Sequence, residues 1–94
     1  MSAYLIADVS VSNPQQYEDY KRLSSQAMAE HGARVLVRGG QTQHLEGREP
    51  GRTVLLEFPN VEAAQAFYES ETYRAARQAR EGAAVMNMFI VQGI

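Results

Sequence analysis

The chain contains no cysteine, which excludes disulfides, thiolate catalysis and cysteine-based zinc or iron–sulfur sites. It also lacks a basic excess. Nine Lys and Arg stand against eleven Asp and Glu, a formal net charge of -2, whereas neutralising nucleic-acid phosphates needs clustered cations. No basic stripe is present, so nucleic acid is not expected as a partner. Long apolar runs are missing as well. The opening MSAYLIADVS has no basic start and Asp8 interrupts it, which argues against a signal peptide or a membrane span. A cytoplasmic location is the expectation. The G-x-S-x-G elbow, the P-loop and G-x-G-x-x-G do not occur, so hydrolase, nucleotide and Rossmann readings fall away. There is no internal repeat, low-complexity segment or interdomain linker.

What remains is one domain, residues 1–94, with an ordinary 45% of hydrophobic residues. A domain this small is marginal alone, and oligomerisation is a natural source of further burial. The segment Arg52–Arg80 organises it, reading as a strand, a turn, a helix, a break and a second helix. Val54, Leu55, Leu56 and Phe58 form a strand that Pro59 stops. Asn60 caps a helix whose buried face is Val61, Ala64, Phe67 and Tyr68, with Glu62 in its first turn. Ser70 caps the next helix, in which Tyr73, Ala76, Arg77 and Arg80 share a face, and Gly82 ends it.

Before this segment, Ala3–Val11 carries apolar groups on both sides and reads as an internal strand. Asn13-Pro14 starts a helix with the stripe Tyr17, Tyr20, Leu23, Ala27, Met28 and His31, closed by Gly32. Arg34–Arg38 is a second strand. Gly39-Gly40 permits a bend, Gln41–Glu46 could continue the strand, and Gly47–Gly51 is hairpin-turn chemistry. Val85–Val91 is the last strand, again apolar on both faces. The order β-α-β-β-α-β is the split βαβ arrangement, an α+β fold with a four-stranded antiparallel sheet and helices on one face. The other face would be a large exposed apolar patch, which monomers avoid. A second copy of the sheet is the simplest cover, giving a homodimer with a barrel between the two sheets.

The elements Arg38-Gly39-Gly40, Leu45-Glu46-Gly47, Glu57-Phe58-Pro59, Ala64, Phe67-Tyr68-Glu69-Ser70, Tyr73 and Arg80, with the closing apolar strand, resemble the DUF1330 family from about Tyr4 to Gly93. Two positions depart from it: Phe67 where many members have Trp, and Glu71 where Pro is common. The family is similar to the dimeric α+β barrel (ferredoxin-like) superfamily. That likeness implies a site between sheet and helices and relatives that include cofactor-independent monooxygenases, haem-handling proteins and lactone isomerases. The family itself supplies no reaction to carry over.

Glu57 is the first candidate for chemistry. In a cleft under Tyr68 and Tyr73 it would be desolvated and its pKa raised toward that of a useful acid or base. The alternative is a structural ion pair with Arg38 or Arg80. Tyr68 and Tyr73, five residues apart across the helix break, could aim both hydroxyls at one pocket or serve as core residues. His44, after the double glycine, could edge the cleft as an acid–base group or lie on the surface. His31 suits a helix C-terminus. The expected catalytic set is therefore Glu57, His44 and Tyr68, with Arg38, Tyr73 and Arg80 binding substrate. Arg74 and Arg77 are expected on a solvated face, pairing with Glu71 and Glu81. No metal is expected, since His31, His44, Asp8 and Glu57 show no ligand spacing. No cofactor is expected either; haem would need His44 as its axial ligand. The function expected is a small-molecule-binding homodimer, with a cofactor-independent enzyme as one form of it. A non-catalytic module with a buried polar network is the competing reading.

Overall fold

The computed structural model describes residues 1–94. Its elements are β1 (Ala3–Val11), α1 (Pro14–Glu30), β2 (Arg34–Arg38), β3 (Arg52–Phe58), α2 (Val61–Glu69), α3 (Glu71–Ala79) and β4 (Ala84–Gln92). The four strands pair antiparallel in the order β2-β3-β1-β4, which places β1 inside the sheet. The second helical stretch is split, so the order is β-α-β-β-α-α-β. The Cα trace measures 33 × 33 × 16 Å, the thickness of one sheet and one helix layer.

Local chemistry sets the helix ends. The Asn13 side chain accepts from the Gln16 N–H at 3.1 Å, and Pro14 stands in the first turn. At the other end Gly32 has φ +65, and the Ala33 N–H reaches back to the Met28 carbonyl at 3.0 Å. That is a Schellman closure, which favours glycine at the left-handed position. Ser70 divides α2 from α3. Its hydroxyl donates to the Phe67 carbonyl at 2.8 Å and accepts from the Tyr73 N–H at 3.2 Å. Ser70 thus ends one helix, starts the next and fixes where Tyr73 enters the core.

Strand alternation sorts the side chains by face. Leu5, Ala7 and Val9 of β1, with Leu56 and Phe58 of β3, are buried beneath the helices. Tyr17, Tyr20, Ala27 and Met28 of α1, Phe67 of α2, and Tyr73 and Ala76 of α3 close the core from above. The opposite face of the sheet is open. The pairings align Val37, Leu55, Ile6 and Phe89 in one row across all four strands of that face. Phe89 and Val91 there are 49% and 43% exposed.

Gln41–Glu46 does not extend β2. Gly39, at φ +73, turns the chain after its N–H makes a last ladder bond to Thr53 at 2.7 Å. The loop returns toward β1, where the Gly51 N–H donates to the Asp8 carboxylate at 2.7 Å. With its two ends drawn to different strands, the segment has no partner along its length and stays exposed.

Candidate functional site

A cavity lies between the sheet and the helices. Its floor is Leu5, Ala7 and Val9 with Arg52, Val54 and Leu56; its roof is Tyr17, Tyr20, Lys21, Ser24 and Met28; Phe67, Tyr73, Met88 and Arg38 complete the walls. Its volume is about 20 Å³, room for about one water. At its inner end the Tyr20 and Tyr73 hydroxyls share a buried hydrogen bond of 2.7 Å, with the rings edge to face at 6.0 Å. Tyr17 stacks on Tyr20 at 5.0 Å.

Arginines surround the tyrosines. The guanidinium of Arg52 lies against Gly39, where a side chain's Cβ would stand 2.7 Å from the guanidinium carbon. The positive φ of +73 is what favours glycine there; a side chain would meet only the mobile end of Arg52. Arg38, beside it, donates to the Ser25 hydroxyl of α1. Arg80 sits behind Tyr20, its guanidinium carbon 5.6 Å from the ring centre. Burial pushes the Tyr17 hydroxyl above the ordinary phenol value, against the pull of Arg52, Arg80 and Arg38. Burial likewise raises Tyr20 and Tyr73, and their mutual contact adds to the effect on Tyr20.

These raised tyrosines make a testable statement about pH. The folded chain holds their protons at a pH where the unfolded chain, with phenols near 10.0, has begun to lose them. The stability they contribute is complete below that value and is lost as pH rises through it toward the folded pKa. Urea midpoints should be level at neutral pH and fall from about pH 10 upward. The fall should be shallower in Tyr20→Phe. A midpoint that stays level above about pH 11 would contradict a buried neutral pair.

The residues expected from sequence divide between two faces. Arg38 and Tyr73 line the cavity, and Arg80 backs its roof. Glu57 does not lie under Tyr68 and Tyr73. It alternates with Leu56 and Phe58, which are buried beneath the helices, so its side chain points to the open face of the sheet. There it accepts from the Tyr4 hydroxyl at 3.3 Å and faces Arg34 at 3.5 Å, rather than Arg38 or Arg80. The Arg34 side chain is 76% exposed, so in one protomer the pair contributes little.

His44 is on the exposed loop after Gly39, its Nε2 2.8 Å from the Gly47 carbonyl, and it does not edge the cavity. Tyr68 and Tyr73 pack ring to ring at 5.6 Å, but their hydroxyls diverge: Tyr68 accepts from Arg77 at 3.2 Å. Arg77 is not on a solvated face, since its guanidinium carbon lies 4.3 Å over the Tyr68 ring. Neither Arg74 nor Arg77 comes within salt-bridge distance of Glu71 or Glu81. No three His, Asp or Glu side chains gather closely enough to hold a metal ion.

Sequence reasoning missed Tyr17, Tyr20 and Arg52 as parts of the site. A signal was present: the buried stripe of α1 begins with two tyrosines where a plain core would take Leu. Their hydroxyls need partners that only a polar pocket supplies.

A family model described as a domain of unknown function, DUF1330, matches residues 2–94. No curated protein matches the chain's sequence. Among solved structures, a protein of unknown function from Rhodopseudomonas palustris superposes with a TM-score of 0.78 at 19% identity, covering 99% of this chain and 82% of that one. A dimeric ferredoxin-like protein of unknown function from Jannaschia sp. gives 0.75 at 8% identity, covering 99% and 100%. SnoaB, a cofactor-independent oxygenase from Streptomyces nogalater, gives 0.63 at 10% identity, covering 99% and 93%. At these identities the likeness establishes the ferredoxin-like fold.

Proposed function

The chain belongs to the DUF1330 family, and from that premise we propose a homodimer that binds a small organic ligand in the cavity between sheet and helices of each protomer. The observation that carries the ligand reading is the Tyr20–Tyr73 hydroxyl pair, at 2.7 Å in an otherwise largely apolar cavity. Ligand sites are typically apolar pockets of about 300–1,000 Å³ with a few convergent polar groups, so binding here requires this hollow to open. The hollow is narrow at rest, but Met28 and Met88 form part of its wall. Unbranched thioether side chains re-pack readily around an entering group.

The chemistry available follows from the protonation state. Burial keeps Tyr20 and Tyr73 neutral, so they act as hydrogen-bond donors and not as bases at neutral pH. Such a pair suits a ligand carbonyl or an oxygen that gains negative charge. In this reading Tyr73 and Tyr20 orient the ligand oxygen, and Arg38 and Arg80 act from the rim and the roof. Glu57, His44 and Tyr68 lie outside it because of where they point. The cofactor-independent chemistry of SnoaB is the kind this metal-ligand-poor site would suit.

The open face supports the dimer. The row Val37, Leu55, Ile6 and Phe89 is part of a contiguous apolar face of the kind that monomers rarely expose.

Titration of methionine-methyl-labelled protein with a library of small organic fragments tests the ligand reading. Binders should shift the Met28 and Met88 signals and leave Met1 unmoved. Fragments that shift no cavity methyl, or act only on the open sheet face, would refute it.

A further inference from the structure

The arginines at the cavity are short of counter-charges. Asp and Glu side chains within salt-bridge distance of a cation pair with Lys21, Arg22, Arg34 and Arg48, and none approaches Arg38, Arg52 or Arg80. The Nε atoms of Arg52 and Arg80 are buried without a hydrogen-bond partner. Arg38 and Arg52 both line the one cavity, and the Arg80 guanidinium carbon lies 5.6 Å from the Tyr20 ring centre behind its roof. Like charges gathered with unsatisfied donors disfavour the empty protein, in a chain whose net charge is -2.

Resting on the ligand-binding reading above, we propose that the ligand is a small organic carboxylate. Its carboxylate meets Arg38, Arg52 and the Tyr20–Tyr73 pair, which share one cavity lining, and its compact apolar end lies against Leu5, Ala7 and Val54. A guanidinium presents parallel N–H donors that match the two oxygens of a carboxylate. The apolar floor behind it takes an alkyl group once Met28 and Met88 re-pack, and it disfavours a fully hydrated dianion such as phosphate. Arg80 stands behind Tyr20 and adds positive charge without touching the ligand.

The test compares isobutyrate, isobutyramide and inorganic phosphate at one ionic strength set with chloride, read on the labelled methionine methyls. Isobutyrate should shift Met28 and Met88 and bind at least about tenfold more tightly than the amide, since its charged end gains charge-assisted bonds. Arg52→Gln and Arg38→Gln should each weaken isobutyrate by about tenfold and leave the amide unchanged. Arg38 is exposed at the end of β2, so its variant folds and keeps the comparison interpretable. If acid and amide shift the same methyls equally, the carboxylate proposal fails and the cavity reading stands. If phosphate equals isobutyrate, the apolar end contributes nothing and the proposal also fails. If none of the three moves a cavity methyl, both readings fall together.

Discussion

Phe89→Arg should convert the proposed dimer into single protomers, seen by sedimentation at concentrations where the unaltered protein is expected to sediment as a pair. Phe89 projects from β4 onto the open sheet face, 49% exposed in one protomer, at the end of the row formed with Val37, Leu55 and Ile6. In a two-fold dimer the change is made twice in one interface. Burying an unpaired guanidinium costs several kcal/mol per ion. The two substitutions together should therefore raise the dissociation constant by at least about a thousandfold. Gln78→Arg, on the exposed side of α3, is the matched control and should leave association unchanged. Persistent dimers in Phe89→Arg would mean that a different surface mediates the pairing. A monomeric unaltered protein would remove the dimer altogether.

The second large effect concerns Phe67, which is 1% exposed. Its ring meets Tyr73 at 4.7 Å and Phe58 at 5.4 Å, joining α2 to both α3 and β3. Phe67→Ala removes the centre of this aromatic cluster and enlarges the cavity that Phe67 helps to line. The cost should be about 3–5 kcal/mol, a large part of the roughly 5–15 kcal/mol that stabilises a typical domain. Denaturant unfolding at fixed protomer concentration is the measurement, because dimer stability depends on concentration. Phe67→Leu should lose less, since more of the volume is kept. A loss below about 1 kcal/mol would show that the cluster relaxes to fill the space and that the aromatic packing is not what joins the layers.

Much of the fold was legible because its signals are local. Asn13-Pro14, Ser70 and Gly32 each define a helix end through bonds within a few residues, and these ends are where the sequence places them. The family resemblance and the structure agree on the ferredoxin-like arrangement. The candidate site was legible only in part. Arg38, Tyr73 and Arg80 do gather around the cavity. Glu57 was misplaced because Val54–Phe58 is apolar on both sides, and alternation alone does not say which side meets the helices. Only the pairing of Tyr4 with Glu57 in the sheet, together with the burial of Leu56 and Phe58, decides it. Helical spacing puts Tyr17 and Tyr20 in a core stripe, because it reports that a face is buried and not that it lines a hollow. Arg52 escapes such a reading because only the tertiary packing brings it into the cavity lining.

The alternation of β3 also makes this short strand a divider between two tasks. Arg52, Val54 and Leu56 present one set of atoms to the cavity, and Thr53, Leu55 and Glu57 present another to the opposite face. On the proposed reading, substitutions at even-numbered positions tune what the pocket accepts without rewriting how copies meet, and odd-numbered ones do the reverse. Inserting or deleting a single residue in this strand would exchange the two sets at once. The length of β3 is thus far less free to change than that of the exposed loop before it, where extra residues alter neither side.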